Sequence, residues 1–290
     1  LFFNHSITLL SGEFFPFFLL GVSLLFLRAS RLYAPYIFGT NLIVGAWWGC
    51  LSWVNALIFG VLYIILILYQ VRVSRETGRW INVIIFSLIS LFLIEVSLHA
   101  VKGFQNCLLF SQIQVSPLSV PYNLYVNYDK GLVALLLLST LLSPSFNFSS
   151  IFRLSFWGIL GLSLLILMLP GLFSGFIKYD PKIPEILGIW VPVMLVYVCL
   201  PEELLYRGFI QNQLSYRIRS FPVVLILSSF VFALAHYKIG SAMMGLSFIA
   251  GLIYGGIYKK FQSLDAAILT HFAVNLIHLL FFTYPASIRL

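Results

Sequence analysis

Apolar runs of bilayer-spanning length recur along almost the whole chain, separated by short polar breaks rich in Arg, Lys, Pro and Asn. A spanning helix needs about 20 mostly apolar residues. Runs of that kind lie near 7–27, 80–101, 154–175, 186–206, 221–237, 241–258 and 264–283. The block 36–70 is too long for one span and short for two. Basic residues flank it, Arg28 and Arg31 before and Arg72, Arg75 and Arg79 after, and two short spans with a tight hairpin near Asn55 would put both clusters on one side. Residues 132–147 form a further apolar run that ends in Ser143-Pro144-Ser145. The pattern predicts an all-α fold, a polytopic transmembrane helical bundle of about eight to ten spans. The polar loop 103–130 is the longest interruption, and it divides an expected N-terminal bundle (1–150) from a C-terminal core (151–290).

Composition agrees with this reading. The chain is 61% hydrophobic and 9% charged, with a mean hydropathy of +1.01, outside the range of soluble globular domains. The expected location is integral and multi-pass, which in a bacterium means the plasma membrane. No cleavable signal peptide is read at the start, so the spans themselves are expected to target the chain. A net charge of +8 does not point to nucleic acid, because the 17 basic residues are scattered singly or in small groups between apolar runs. The positive-inside rule accounts for them, with Arg153, Arg217, Arg219, Lys259 and Lys260 inside and both chain ends outside. Cys50, Cys107 and Cys199 are odd in number and widely spaced, and imply neither a disulfide framework nor a zinc site.

Against this background the run Pro201-Glu202-Glu203-Leu204-Leu205-Tyr206-Arg207 stands out. Ionisable residues at membrane depth cost about 2.5 kcal/mol or far more, and by default mark function. Glu203 and Arg207 share a helix face and can pair, whereas Glu202 points away from them. Pro201 cannot donate to the Tyr197 carbonyl, so a kink is expected just before the acids. Two more pairs four residues apart follow, Phe232 with His236 and His271 with Asn275. At 1.5 Å per residue, the helix from Glu202 descends roughly 22 Å to the Arg217 turn and the next climbs roughly 21 Å to His236. His271 and Asn275 come out roughly 13 and 20 Å up from the Lys259-Lys260 turn. Three helices can thus offer an acid, two imidazoles and an amide at similar depth. A lone histidine would read as a helix-to-helix hydrogen-bonding residue, but a cluster of ionisable groups reads as a site.

Four features carry more ordinary expectations. Glu95 and His99 are read as an internally satisfied pair on the 80–101 span, and His278 as an interfacial residue. Gly251 and Gly255, with Gly256 beside them, are read as a close-packing stripe. Asp265 is placed at a helix N-terminus, where a carboxylate complements the dipole.

The three motifs, Glu202-Glu203-Leu-Leu-Tyr-Arg207, Phe232-Ala-Leu-Ala-His236 and His271-Phe-Ala-Val-Asn275, resemble those of the CPBP intramembrane proteases. That family includes type II CAAX prenyl endopeptidases and bacterial Abi-like proteins. The resemblance covers roughly 185–285 and leaves the first 150 residues unexplained. It implies an intramembrane endopeptidase acting on a membrane protein or peptide in the lipid bilayer. By resemblance Glu202 is the general base that activates water with His236, while His271 and Asn275 are donors to the oxyanion. Glu203 and Arg207 are a supporting pair. No cofactor is the favoured expectation; in the alternative, a metalloprotease, Glu202, His236 and His271 would be zinc ligands with a fourth position open. An HExxH pair, a Gly-Asp dipeptide and a GxSG run are absent, which sets aside three other intramembrane protease types. A transporter and a non-catalytic peptide-binding or immunity protein are the competing readings. The first lacks duplicated broken helices, and the second has no need of a water-activating acid.

Overall fold

A computed structural model describes residues 12–74, 79–141 and 146–288 of the chain. The beginning of the first expected span, Arg75, the Arg72 and Arg79 side chains, and Ser143-Pro144-Ser145 lie outside the described residues. Within them run α1 (Phe15–Ala29), α2 (Ala34–Trp47), α3 (Trp53–Ser74), α4 (Arg79–Ser97), α5 (Tyr128–Thr140) and α6 (Leu154–Phe173). They are followed by α7 (Leu187–Ser215), α8 (Phe221–Leu234), α9 (Ser241–Phe261) and α10 (Leu264–Phe281). Strands β1 (Cys107–Ile113) and β2 (Tyr122–Val126) form a two-stranded sheet in the polar loop before α5. Among the described residues, seven helices are long and apolar enough to cross a membrane. The protein is an all-α, multi-pass integral membrane protein.

Local sequence chemistry sets the helix ends. Pro16, Pro35 and Pro222 stand in the first turns of α1, α2 and α8, where a missing N–H costs nothing. Ser263 caps α10 by accepting from Ala266 N at 3.2 Å, and Asp265 sits in its first turn as expected. Gly240 opens α9 at φ +116°, a conformation that favours glycine.

The 36–70 block departs from expectation. The chain turns at 48–52, not at Asn55, and α3 continues for 22 residues. Gly49 takes φ +76° at this turn, and Ser52 N donates to Gly103 O at 2.7 Å. Asn55 lies in the first turn of α3, and its Nδ2 donates to Lys102 O at 2.9 Å. It ties α3 to the segment after α4 rather than marking a bend.

The chain divides into two units. The first comprises Leu1–Leu109, Tyr125–Pro144 and Val196–Leu205. Its centre is α5, buried on every side from Gly131 to Leu138, as a helix apolar all round must be. Around it pack α1 to α4, with polar ties in both directions: Tyr128 Oη of α5 donates to Asn41 O of α2 at 2.8 Å, and Gln70 Nε2 of α3 donates to Thr140 O of α5 at 2.7 Å. On α3, Val54, Leu57, Ile58, Val61, Ile64, Ile65 and Leu68 are exposed at helical spacing, the face a bilayer would cover.

The second unit comprises Phe110–Leu124, Ser145–Leu195 and Tyr206–Leu290. Part of its core joins Phe156 and Leu160 of α6 to Ile257 and Phe261 of α9 and Ala266 of α10. The start of α8 and the end of α9 lie at one level, with Lys259 Nζ 5.7 Å from the Phe221 ring centroid.

Candidate active site

The first motif lies on α7, which is not a uniform α-helix. It is α-helical over Leu187–Met194, π-helical over Leu195–Cys199, α-helical over Leu200–Glu203 and π-helical again over Leu204–Gln211. Pro201 has no N–H for the Tyr197 carbonyl, and the wider π turn just before it absorbs that mismatch. Glu203 is 0% and Arg207 2% exposed, so both side chains belong to the interior.

In the second unit Arg207, His236 and His271 are brought together by Phe232. The guanidinium of Arg207 lies 4.6 Å from its ring centroid. The Tyr206 ring meets it edge-on at 5.0 Å, His236 at 5.0 Å and His271 at 6.1 Å. A ring with a negative face and a positive edge can hold a cation over one part and other rings against another. Tyr254 of α9 closes the group, stacked on His271 at 4.8 Å with the planes 20° apart. Arg207 Nη2 also donates to Gly251 O at 3.3 Å.

The two imidazoles therefore pack against one ring, although His236 is not within a helix. α8 ends at Leu234, and His236 stands in the turn beyond it. Its Nδ1 meets Phe232 O at 3.0 Å. A carbonyl oxygen only accepts, so Nδ1 donates, and the lone pair of the neutral ring is on Nε2. The Phe-x-x-x-His spacing thus fixes the tautomer as well as the position. His271 is 6% exposed on α10. One turn on, Asn275 Nδ2 approaches Met194 Sδ at 3.5 Å.

The expected small-residue stripe is real. A Cβ on Gly251 would come 2.8 Å from Ser229 Cβ and 2.9 Å from its Cα. On Gly255 a Cβ would come 2.6 Å from Gln211 Oε1, and Gln211 itself donates to Gly255 O at 3.0 Å. This close approach lets the Gly251 carbonyl reach Arg207.

In the first unit, Glu202 Oε1 meets Lys130 Nζ at 2.9 Å, with the two side chains 12% and 17% exposed. Sequence reading missed Lys130; its one signal was a lysine at the very start of an apolar run. The Glu95–His99 expectation is corrected. α4 ends at Ser97, and His99 has turned to φ +59°, out of helical register with Glu95. His99 Nδ1 instead meets Asp129 Oδ2 at 2.5 Å. His278 Nε2 meets Thr283 O at 3.0 Å and its ring packs on Tyr284, so it secures the turn after α10.

Among the described residues no three His, Cys, Asp or Glu side chains are grouped as metal ligands. Among the described residues the cysteines form no disulfide. Burial and neighbouring Cys107 push the Cys50 thiol up to about 12, which makes it a poor nucleophile.

Residues 184–277 match the family described as type II CAAX prenyl endopeptidase Rce1-like. No curated protein and no solved structure matches the chain.

Proposed function

We propose that this chain, whose residues 184–277 match the family described as type II CAAX prenyl endopeptidase Rce1-like, is an intramembrane endopeptidase that hydrolyses a peptide bond of a membrane-associated protein or peptide with water activated by glutamate and histidine. The observation that carries this reading is the gathering of Arg207, His236 and His271 around Phe232, with the lone pair of His236 assigned to Nε2.

In the proposed reaction a water oxygen forms the new bond to the carbonyl carbon while its proton passes to Glu202. His236 Nε2 accepts a hydrogen bond from the same water and orients it. Negative charge collects on the former carbonyl oxygen, and His271 and Asn275 donate to it; one such donor is typically worth about 3–4 kcal/mol. As the C–N bond breaks, the proton held by Glu202 goes to the leaving amine. Arg207 braces its part of α7 against α9 through Gly251 O, and Glu203 is its supporting partner in this reading. No step requires a metal.

The test compares peptide N-termini in membranes from cells carrying the wild-type protein and Glu202→Gln at equal abundance. Particular N-termini should fall by about 100-fold or more in the variant, the lower end of what a general base contributes. The same N-termini should survive treatment of isolated membranes with 1,10-phenanthroline. Identical N-termini from wild type and variant would overturn the hydrolase reading in favour of peptide binding or transport.

A further inference from the structure

The family match begins at residue 184, yet the first motif acid makes an ion pair with a residue far upstream. Lys130 Nζ stands 2.9 Å from Glu202 Oε1, within one unit and largely shielded from solvent. A charge-assisted bond of this length is strong and directional. Leaving either partner behind in so apolar a setting would be costly.

The base of Lys130 is fixed in turn. It is the third residue of α5. Asn106 Oδ1 accepts from Tyr128 N at 2.7 Å, where α5 begins. Asp129 Oδ2 is held by His99 Nδ1 at 2.5 Å and by Asn106 Nδ2 at 3.0 Å, while its Oδ1 accepts from Lys130 N at 2.7 Å. His99 keeps a left-handed backbone, φ +59°, to make its contact, a conformation uncommon for a residue with a side chain. Beyond the first turn, α5 is buried all round. The polar segment before α5 thus braces the helix start from which Lys130 meets Glu202.

We propose that Lys130 is a positioning residue for the reaction, which gives the N-terminal bundle a role: it supplies the ammonium that orients the Glu202 carboxylate. This rests on the reading of Glu202 as the base. Lys130 holds Oε1, which fixes the plane of the carboxylate, and Oε2 takes the proton from water. Lys130 itself neither touches substrate nor gives up a proton.

The experiment measures kcat and KM of the purified full-length chain on a peptide that the wild type cleaves, for Lys130→Met, Lys130→Arg, Glu202→Gln and the double variant Lys130→Met/Glu202→Gln. Thermal unfolding in the same detergent checks each fold. Misplacing a reacting group by about 1 Å can cost on the order of 100-fold, so Lys130→Met should lose about 10- to 100-fold in kcat with KM little changed. Lys130→Arg should recover most of the loss, and the double variant should be no slower than Glu202→Gln alone. A wild-type kcat in Lys130→Met, a change confined to KM, or a Lys130→Arg variant as slow as Lys130→Met but stably folded would overturn the role. If Lys130→Met fails to fold, the Arg variant decides. Full activity in Glu202→Gln would instead bring down the assignment of the base, and the Lys130 role with it. A dead Glu202→Gln beside a fully active Lys130→Met brings down the Lys130 role alone.

Discussion

A single ring does the assembling in the second unit. Phe232 touches Arg207, His236, His271 and Tyr206 at once, and its carbonyl sets the tautomer of His236. Leucine would preserve most of its apolar bulk but could offer neither a π face to the guanidinium nor ring geometry to the imidazoles. Aromatic pairs are worth about 0.5–1.5 kcal/mol each beyond burial, and a desolvated cation over a ring about as much or more. Phe232→Leu should therefore destabilise the protein by about 1–3 kcal/mol in detergent unfolding. It should also slow peptide cleavage by more than that stability loss explains, because both histidines lose a wall. Cleavage at the wild-type rate in a destabilised variant would leave Phe232 a packing residue only.

At the scale of elements, α8 and α9 approach closely because Gly251 has no side chain, and the carbonyl that Arg207 reaches is the one exposed by that approach. A methyl added at Gly251 meets backbone and Cβ of Ser229, neither of which can swing aside. Gly256, in the same helix, has nothing within 4 Å of such a methyl. Overpacking costs typically about 1–3 kcal/mol, whereas replacing an unhindered helical glycine by alanine gains about 0.4–1 kcal/mol. Gly251→Ala should lower the unfolding midpoint in detergent and weaken cleavage, while Gly256→Ala should leave cleavage intact and raise the midpoint slightly. The sequence made this stripe legible through its spacing. It also gave most helix positions, since apolar length and first-turn prolines are local signals. It misplaced the turn before α3, because Asn55 looks like a turn residue until its distant acceptor, Lys102 O, is known. The π turns of α7 were foreshadowed only by Pro201, for hydrogen-bond register depends on what packs around the helix.

For the molecule as a whole, the acids and the histidines differ in what holds them. The histidine and arginine motif residues are legible in sequence because each carries its own neighbour four positions away. Lys130 was not legible, since nothing in a string of residues relates it to Glu202; only the packing of α5 does. Val196–Leu205, which carries both acids, belongs to the same unit as α5, although α6 and the rest of α7 do not. A chain cut in the segment before α6 tests this dependence directly. Residues 146–290 expressed alone keep all three motifs but lack α5, so they should insert and yet release none of the Glu202-dependent N-termini. Co-expression with residues 1–145 should restore those N-termini, because the α5 contacts are noncovalent and bury apolar surface. Restoration should fail when the 1–145 fragment carries Lys130→Met and succeed when it carries Lys130→Arg. Cleavage by 146–290 alone at the wild-type rate would show that the motifs suffice, and that the contact with Lys130 stabilises the fold without serving the reaction.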